Sequence, residues 1–132
     1  MSVQAVAKGV RISPRKVSVV AALVRGRSVA DALTILEHTP RRSALAVRKT
    51  VESAKANADY NHGFKPDSLQ IIEISVTPGP SLKRFRPVAR GMAHPYQHRT
   101  SHIRVVVDGE KRVAKNKKPV EPKTAAKKAE DK

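Results

Sequence analysis

The chain of 132 residues carries 27 Lys and Arg against 11 Asp and Glu, a formal net charge of +16, and its sequence pI is about 10.9. That length excludes a large multidomain enzyme, and so strong a basic excess marks a binder of polyanions. With no cysteine there is no disulfide framework, zinc ribbon or thiol nucleophile, a usage that fits a reducing compartment.

Residues 3–12 predict an edge strand with Val6, Val10 and Ile12 on one face and Ala7 and Arg11 on the other. Ser13-Pro14 then offers an N-cap oxygen and a proline at the first helical position, where its missing N–H costs nothing. The helix that follows turns Val17, Val20, Ala21 and Val24 to one side and ends at Gly26. Ser28 with Asp31 resembles a capping box and opens a short helix with Val29, Leu33 and Leu36 inward, stopping before Pro40. Thr39-Pro40 repeats the cap-plus-proline device for the longest helix, up to about Gly63. Ala44, Val47, Val51, Ala54 and Ala58 form its single narrow stripe. Arg48 with Glu52, and Lys55 with Asp59, stand four apart on its solvated side and read as weak ion pairs.

Beyond the loop 64–68 the period changes to two. Ile72, Ile74 and Val76 alternate with Glu73, Ser75 and Thr77; further on, Ile103, Val105 and Val107 alternate with His102, Arg104 and Val106 up to Asp108-Gly109. Two such strands with nothing helical between them predict a hairpin, but residues 77–102 make a connection far longer than a turn needs. This insert holds few large apolar residues (Leu82, Phe85, Val88, Met92, Tyr96) and no acid beside Lys83, Arg84, Arg86, Arg90 and Arg99. It cannot form a core of its own. An extended ribbon turning near Arg90-Gly91 would reach about 30 Å from Pro80 at ~3.3 Å per residue. A ribbon so poor in apolar surface must be held by something outside the chain. Residues 110–132, rich in Lys, Ala, Pro and Glu, read as a disordered basic tail.

The charge is segregated. Residues 1–30 hold six basic residues (Lys8, Arg11, Arg15, Lys16, Arg25, Arg27) and no acid, residues 31–73 hold six of each sign, and residues 74–109 hold six basic residues with Asp108 alone against them. A balanced middle flanked by basic segments places the partner at the flanks. No catalytic constellation competes with that reading. His94, His98 and His102 are four apart, but in an extended chain such residues lie ~13 Å from each other and cannot share a zinc ion. No phosphate-binding Gly-rich loop, dinucleotide fingerprint, Ser-His-acid set or isolated carboxylate pair occurs, so neither cofactor nor metal is expected. No apolar run approaches the ~18 residues of a membrane span, and Met1 to Val10 is too polar for a secretory signal, so a soluble cytoplasmic protein is expected. With two Phe, two Tyr and no Trp, contact with nucleic acid should run through phosphates and shape rather than base stacking.

Several segments together resemble a known family. These are Ser13-Pro14-Arg15-Lys16 with Arg25-Gly26, the helix segment Ser53 to Asn57, Gly79 to Arg84, Pro87 with Gly91, and Arg99 to Ile103 followed by Val105 to Val107. Over residues 3–108 the chain is similar to bacterial large-subunit ribosomal protein twenty-two. The resemblance implies an α+β fold, three helices packed on a small antiparallel three-stranded sheet with a long protruding β-hairpin, in one domain over residues 1–109. It implies a non-enzymatic constituent of the large ribosomal subunit that binds its RNA, supports its assembly, sits among neighbouring ribosomal proteins and forms no homo-oligomer. Combined with the basic segments, it points to Lys8, Arg11, Arg15, Lys16, Arg25, Arg27, Lys83, Arg84, Arg86, Arg90, Arg99, His102 and Arg104 as RNA contacts. It further implies a hairpin tip, Pro87, Val88, Ala89, Arg90, Gly91 and Met92, lining the peptide exit tunnel close to the nascent peptide and to where macrolides bind. Where that family carries basic residues at the tip, Val88, Met92, His94 and Pro95 stand here. The alternative from composition is a DNA-bending architectural protein with a β-ribbon arm and Pro95 as a wedge.

Overall fold

Pro14, Ser28 and Gly63 mark three of the six helix ends. In the computed structural model, which describes residues 2–112, helix α1 spans Pro14–Val24, α2 spans Val29–His38 and α3 spans Arg42–His62. Pro14 occupies the start of α1, though the Ser13 side chain makes no capping bond. Ser28 does cap α2: its Oγ accepts the Asp31 backbone N–H at 3.2 Å and donates to Asp31 Oδ2 at 2.7 Å. Ser28→Ala should therefore cost about 0.5–2 kcal/mol, read as a lower denaturation midpoint with an unchanged slope. Thr39 serves the helix behind it rather than the one ahead, because its hydroxyl donates to the Ile35 carbonyl at 2.6 Å and so closes α2. The N-cap position of α3 falls to Arg41, without a side-chain cap. At the other end Gly63, at φ 65°, supplies the left-handed residue that stops α3 and drops Phe64 into the core.

Strands β1 (Val3–Val10), β2 (Gln70–Pro78) and β5 (Ser101–Asp108) form one antiparallel sheet in the order β1-β5-β2. β5 is central, pairing with β1 on one edge and β2 on the other, and its Ile103, Val105 and Val107 are fully buried. β1 is an edge as expected, but its inward residues are Val3 and Ala5, with Ala7 partly covered, and Val6 is exposed. A bulge between Ala7 and Val10, with Gly9 at φ 70°, reverses the parity, so Val10 and Ile12 do pack against the core. A second bulge between Ile71 and Glu73 makes Ile72 the unpaired residue: Ile71 and Ile74 go inward and Ile72 is 57% exposed. A single extra residue moves every following side chain to the other face, which alternation alone does not reveal. The outer edge of β2 is covered by the α1–α2 link: Ile71 N–H donates to Arg27 O at 2.9 Å and Val29 N–H to Leu69 O at 2.9 Å.

The helices cover one side of this sheet, α1 against β2 and α3 against β1 and β5. The α3 stripe Ala44, Val47, Val51, Ala54 and Ala58 is buried throughout, as are Val17, Val20, Ala21 and Val24 of α1. On the outer side Arg48 Nε donates to Glu52 at 2.8 Å with Glu37 at 3.5 Å; the Glu52 bond and then the Glu37 charge hold this guanidinium still more firmly protonated. Asp59 does not form the pair expected with Lys55; its carboxylate meets Arg112 at 2.8 Å. Lys65 N–H donates to Glu110 O at 2.9 Å and Arg112 N–H to Gly63 O at 2.7 Å, so the first three residues of the basic C-terminal stretch are tied to the end of α3. The rest of the stretch read as a tail lies outside the described residues.

Between β2 and β5 the ribbon continues as β3 (Leu82–Pro87) and β4 (Ala93–His98), an antiparallel pair separate from the main sheet. The two parts join at a waist where Gly79 N–H donates to Thr100 O at 2.9 Å and Thr100 Oγ1 donates to Pro80 O at 2.7 Å. Only glycine fits at 79: an added Cβ would lie 2.5 Å from Thr100 Oγ1.

Candidate nucleic-acid interface

No residue of β3 or β4 is buried. Their backbone bonds run from Leu82 opposite His98 to Pro87 opposite Ala93, with Pro95 facing Phe85 within the ladder. The turn lies where expected: Val88 N–H donates to Met92 O at 2.9 Å, around Arg90 and Gly91 at φ 59° and 67°. Arg90, a left-handed non-glycine residue, stands exposed at the tip. Around this turn Phe85, Val88 and Met92 are large apolar side chains left in solvent. Lys83, Arg84, Arg86 and Arg99 are exposed along the arm and its waist, and no acid lies between Glu73 and Asp108 to compensate them.

A second basic surface forms on the core. Arg11 and Lys16, from the β1–α1 link and the first turn of α1, meet Arg41 and Arg42 at the start of α3 around one cleft of about 420 Å³. Ser43 Oγ donates to Lys16 O at 3.3 Å and ties the two segments together. No acid occupies the first turn of α3, so the helix dipole adds to the same positive field. Arg41 and Arg42 were not among the expected contacts, since they sit in the segment whose charges balance. The available signal was their adjacency at an acid-free helix start, visible only once that start is placed at residue 42.

The other expected contacts are dispersed. Arg25 Nη2 donates to the Ile74 carbonyl at 3.0 Å and Arg27 Nε to the Leu23 carbonyl at 2.9 Å, so both also hold the end of α1, a helix length (~16 Å) from Arg15 and Lys16. His102 Nδ1 accepts the Gly9 N–H at 3.0 Å, which clasps the β1 bulge to β5 beside the waist. Arg104, opposite Val6 and Ser75, is exposed on the sheet face that carries no helix, and Lys8 and Arg15 are exposed as well.

A small core with an exposed, acid-free ribbon and a four-cation cleft has the make-up of a polyanion-binding protein. A family model described as ribosomal protein L22p/L17e matches residues 5–108, and the chain belongs to that family. It is 51% identical over 106 residues to large ribosomal subunit protein uL22 of Lactobacillus helveticus, covering 80% of this chain and 91% of that one. With the uL22 proteins of Oceanobacillus iheyensis and Desulforamulus reducens it shares 50% and 48% identity over 111 residues, 84% of this chain and 98% of each of theirs. The family is a structural constituent of the large ribosomal subunit, and the DNA-bending alternative is set aside by this membership.

Proposed function

We propose that this chain binds large-subunit ribosomal RNA through the arm and the basic surface of its core, supports assembly of the subunit, and lines the peptide exit tunnel with its tip. The observation that carries the reading is an arm that displays Lys83, Arg84, Arg86 and Arg90 without one buried residue of its own. Such a ribbon gains too little from its own contacts to offset its ordering entropy, and packed phosphates supply the missing partner. Guanidinium groups grip those phosphates bidentately and lysines act as point charges. The cleft of Arg11, Lys16, Arg41 and Arg42 then holds a second stretch of backbone, so one protein ties separate RNA segments together. Lys8, Arg15, Arg25, Arg27, Arg99, His102 and Arg104 extend the contact from these two centres. Neighbouring ribosomal proteins meet the remaining surface. The tip, Pro87 to Met92, is left to the nascent peptide, for it carries Arg90 as its single charge.

The test is crosslinking in a cell lysate followed by identification of the attached nucleic acid. Large-subunit ribosomal RNA is the expected product, and DNA or small-subunit RNA in its place would refute the reading. In the free protein, amide exchange should separate the two parts: slow in β5 and α3, fast throughout residues 82–98. Slow exchange along the arm would mean that it needs no RNA to be held.

A further inference from the structure

The register of the arm sorts its side chains by face. Directly opposed residues of an antiparallel pair project to the same side, and every second pair shares that side. One side therefore carries the pairs Leu82 with His98, Arg84 with Tyr96, and Arg86 with His94; the other carries Lys83 with Gln97, Phe85 with Pro95, and Pro87 with Ala93. Two contacts mark the first side as an organised cluster. The Arg86 guanidinium carbon lies 5.3 Å from the centroid of the Tyr96 ring, and the rings of Tyr96 and His98 meet edge to face at 5.2 Å. Tyr96 is the one residue of β3 and β4 that is partly covered.

We infer that this side is a stacking platform for an unpaired RNA base, with Arg84 and Arg86 on the phosphates next to it. The inference rests on the proposed RNA-binding role of the arm and adds a mode of recognition to it. Four aromatic residues of the Phe and Tyr type in 132 make stacking improbable on composition. The ladder changes the count that matters, because it gathers Tyr96, both histidines of β4 and two guanidinium groups into one strip. Single-stranded bases stack on such rings and on guanidinium planes, and flanking cations hold the backbone at the right distance. Where the ladder is formed, Arg86 and His98 flank the Tyr96 ring and fix its orientation on this side of the arm. The outer part of the opposite side, Phe85, Pro87, Ala93 and Pro95, has no charge with which to hold a phosphate and is turned away from the RNA.

Stacking and phosphate contact separate by their response to salt. With the full chain and deproteinised large-subunit ribosomal RNA, Tyr96→Ala should lower affinity roughly 5- to 150-fold while leaving the slope of log affinity against log salt unchanged. Tyr96→Phe should keep most of the affinity. Arg84→Ala should reduce the slope by about one, and Phe85→Ala should alter neither quantity. Tyr96→Ala binding like the wild type would overturn the platform; so would a larger loss from Phe85→Ala, which would reverse the faces. A flattened slope in Tyr96→Ala would make the ring a support for Arg86 and equally reject stacking. Absence of salt-dependent binding by the wild-type chain would defeat the RNA-binding role itself, and with it the platform, before any variant is compared.

Discussion

Replacing Lys83, Arg84 and Arg86 together by Ala should flatten the salt dependence of RNA binding by about two to three units of log–log slope. Each phosphate neutralised contributes roughly 0.7–0.9 to that slope, as its condensed counterion is released. Between about 50 and 200 mM salt the wild-type chain should lose roughly 20- to 40-fold more affinity than the variant. The three residues are exposed and pack against no part of the core, so unfolding of the free protein should hardly change. Arg84 and Arg86, on the Tyr96 side, should account for most of the effect, and Lys83 at the base of the arm for the rest. An unchanged slope would remove the arm as the main contact and leave the cleft at Arg41 and Arg42 as the principal electrostatic site. Arg41→Ala with Arg42→Ala then provides the comparison: a loss of slope in both variants, adding in their combination, is the expected signature of two separate stations on the RNA.

Excising residues 88–92 should have the opposite profile. The deletion removes Val88, Ala89, Arg90, Gly91 and Met92, of which only Arg90 carries a charge. Pro87 and Ala93, already paired across the ladder, become the two-residue connection between Arg86 and His94, a common loop length for a hairpin. RNA affinity should therefore fall by no more than one phosphate contact, and the yield of large subunits should stay near normal. What should change is the passage that the tip is proposed to line, seen as altered macrolide sensitivity or altered peptide-dependent pausing in ribosomes carrying the excised chain. Normal subunit yield with no such change would count against the tunnel role. Collapse of assembly would show instead that the tip is needed to hold the RNA.

Much of this molecule is written locally. The three helices follow from a 3.6-residue period and from Pro14, Ser28 and Gly63, whose effects act within one turn; the buried faces of α1 and α3 are the expected ones, while in α2 Ala32 is buried beside Val29 and Leu36 and Leu33 is only partly covered. The expectation of an external partner for the arm was equally local, because an acid-free stretch of 26 residues with few large apolar side chains buries little surface against its ordering entropy. Other features depended on residues distant in sequence. Val6 and Ile72 face solvent because bulges shift the register of β1 and β2 against β5, and a bulge is decided by the partner strand. Asp59 takes Arg112 because the chain returns past the end of α3. The cleft needed Arg11 and Lys16 brought to Arg41 and Arg42 across some 25 residues of intervening helix and loop. Composition alone pointed to a polyanion as the partner. Which cations act together, and whether Tyr96 stands beside Arg84 and Arg86 or away from them, was decided by strand register and helix packing, since charge is a property of residues and a surface is a property of their arrangement.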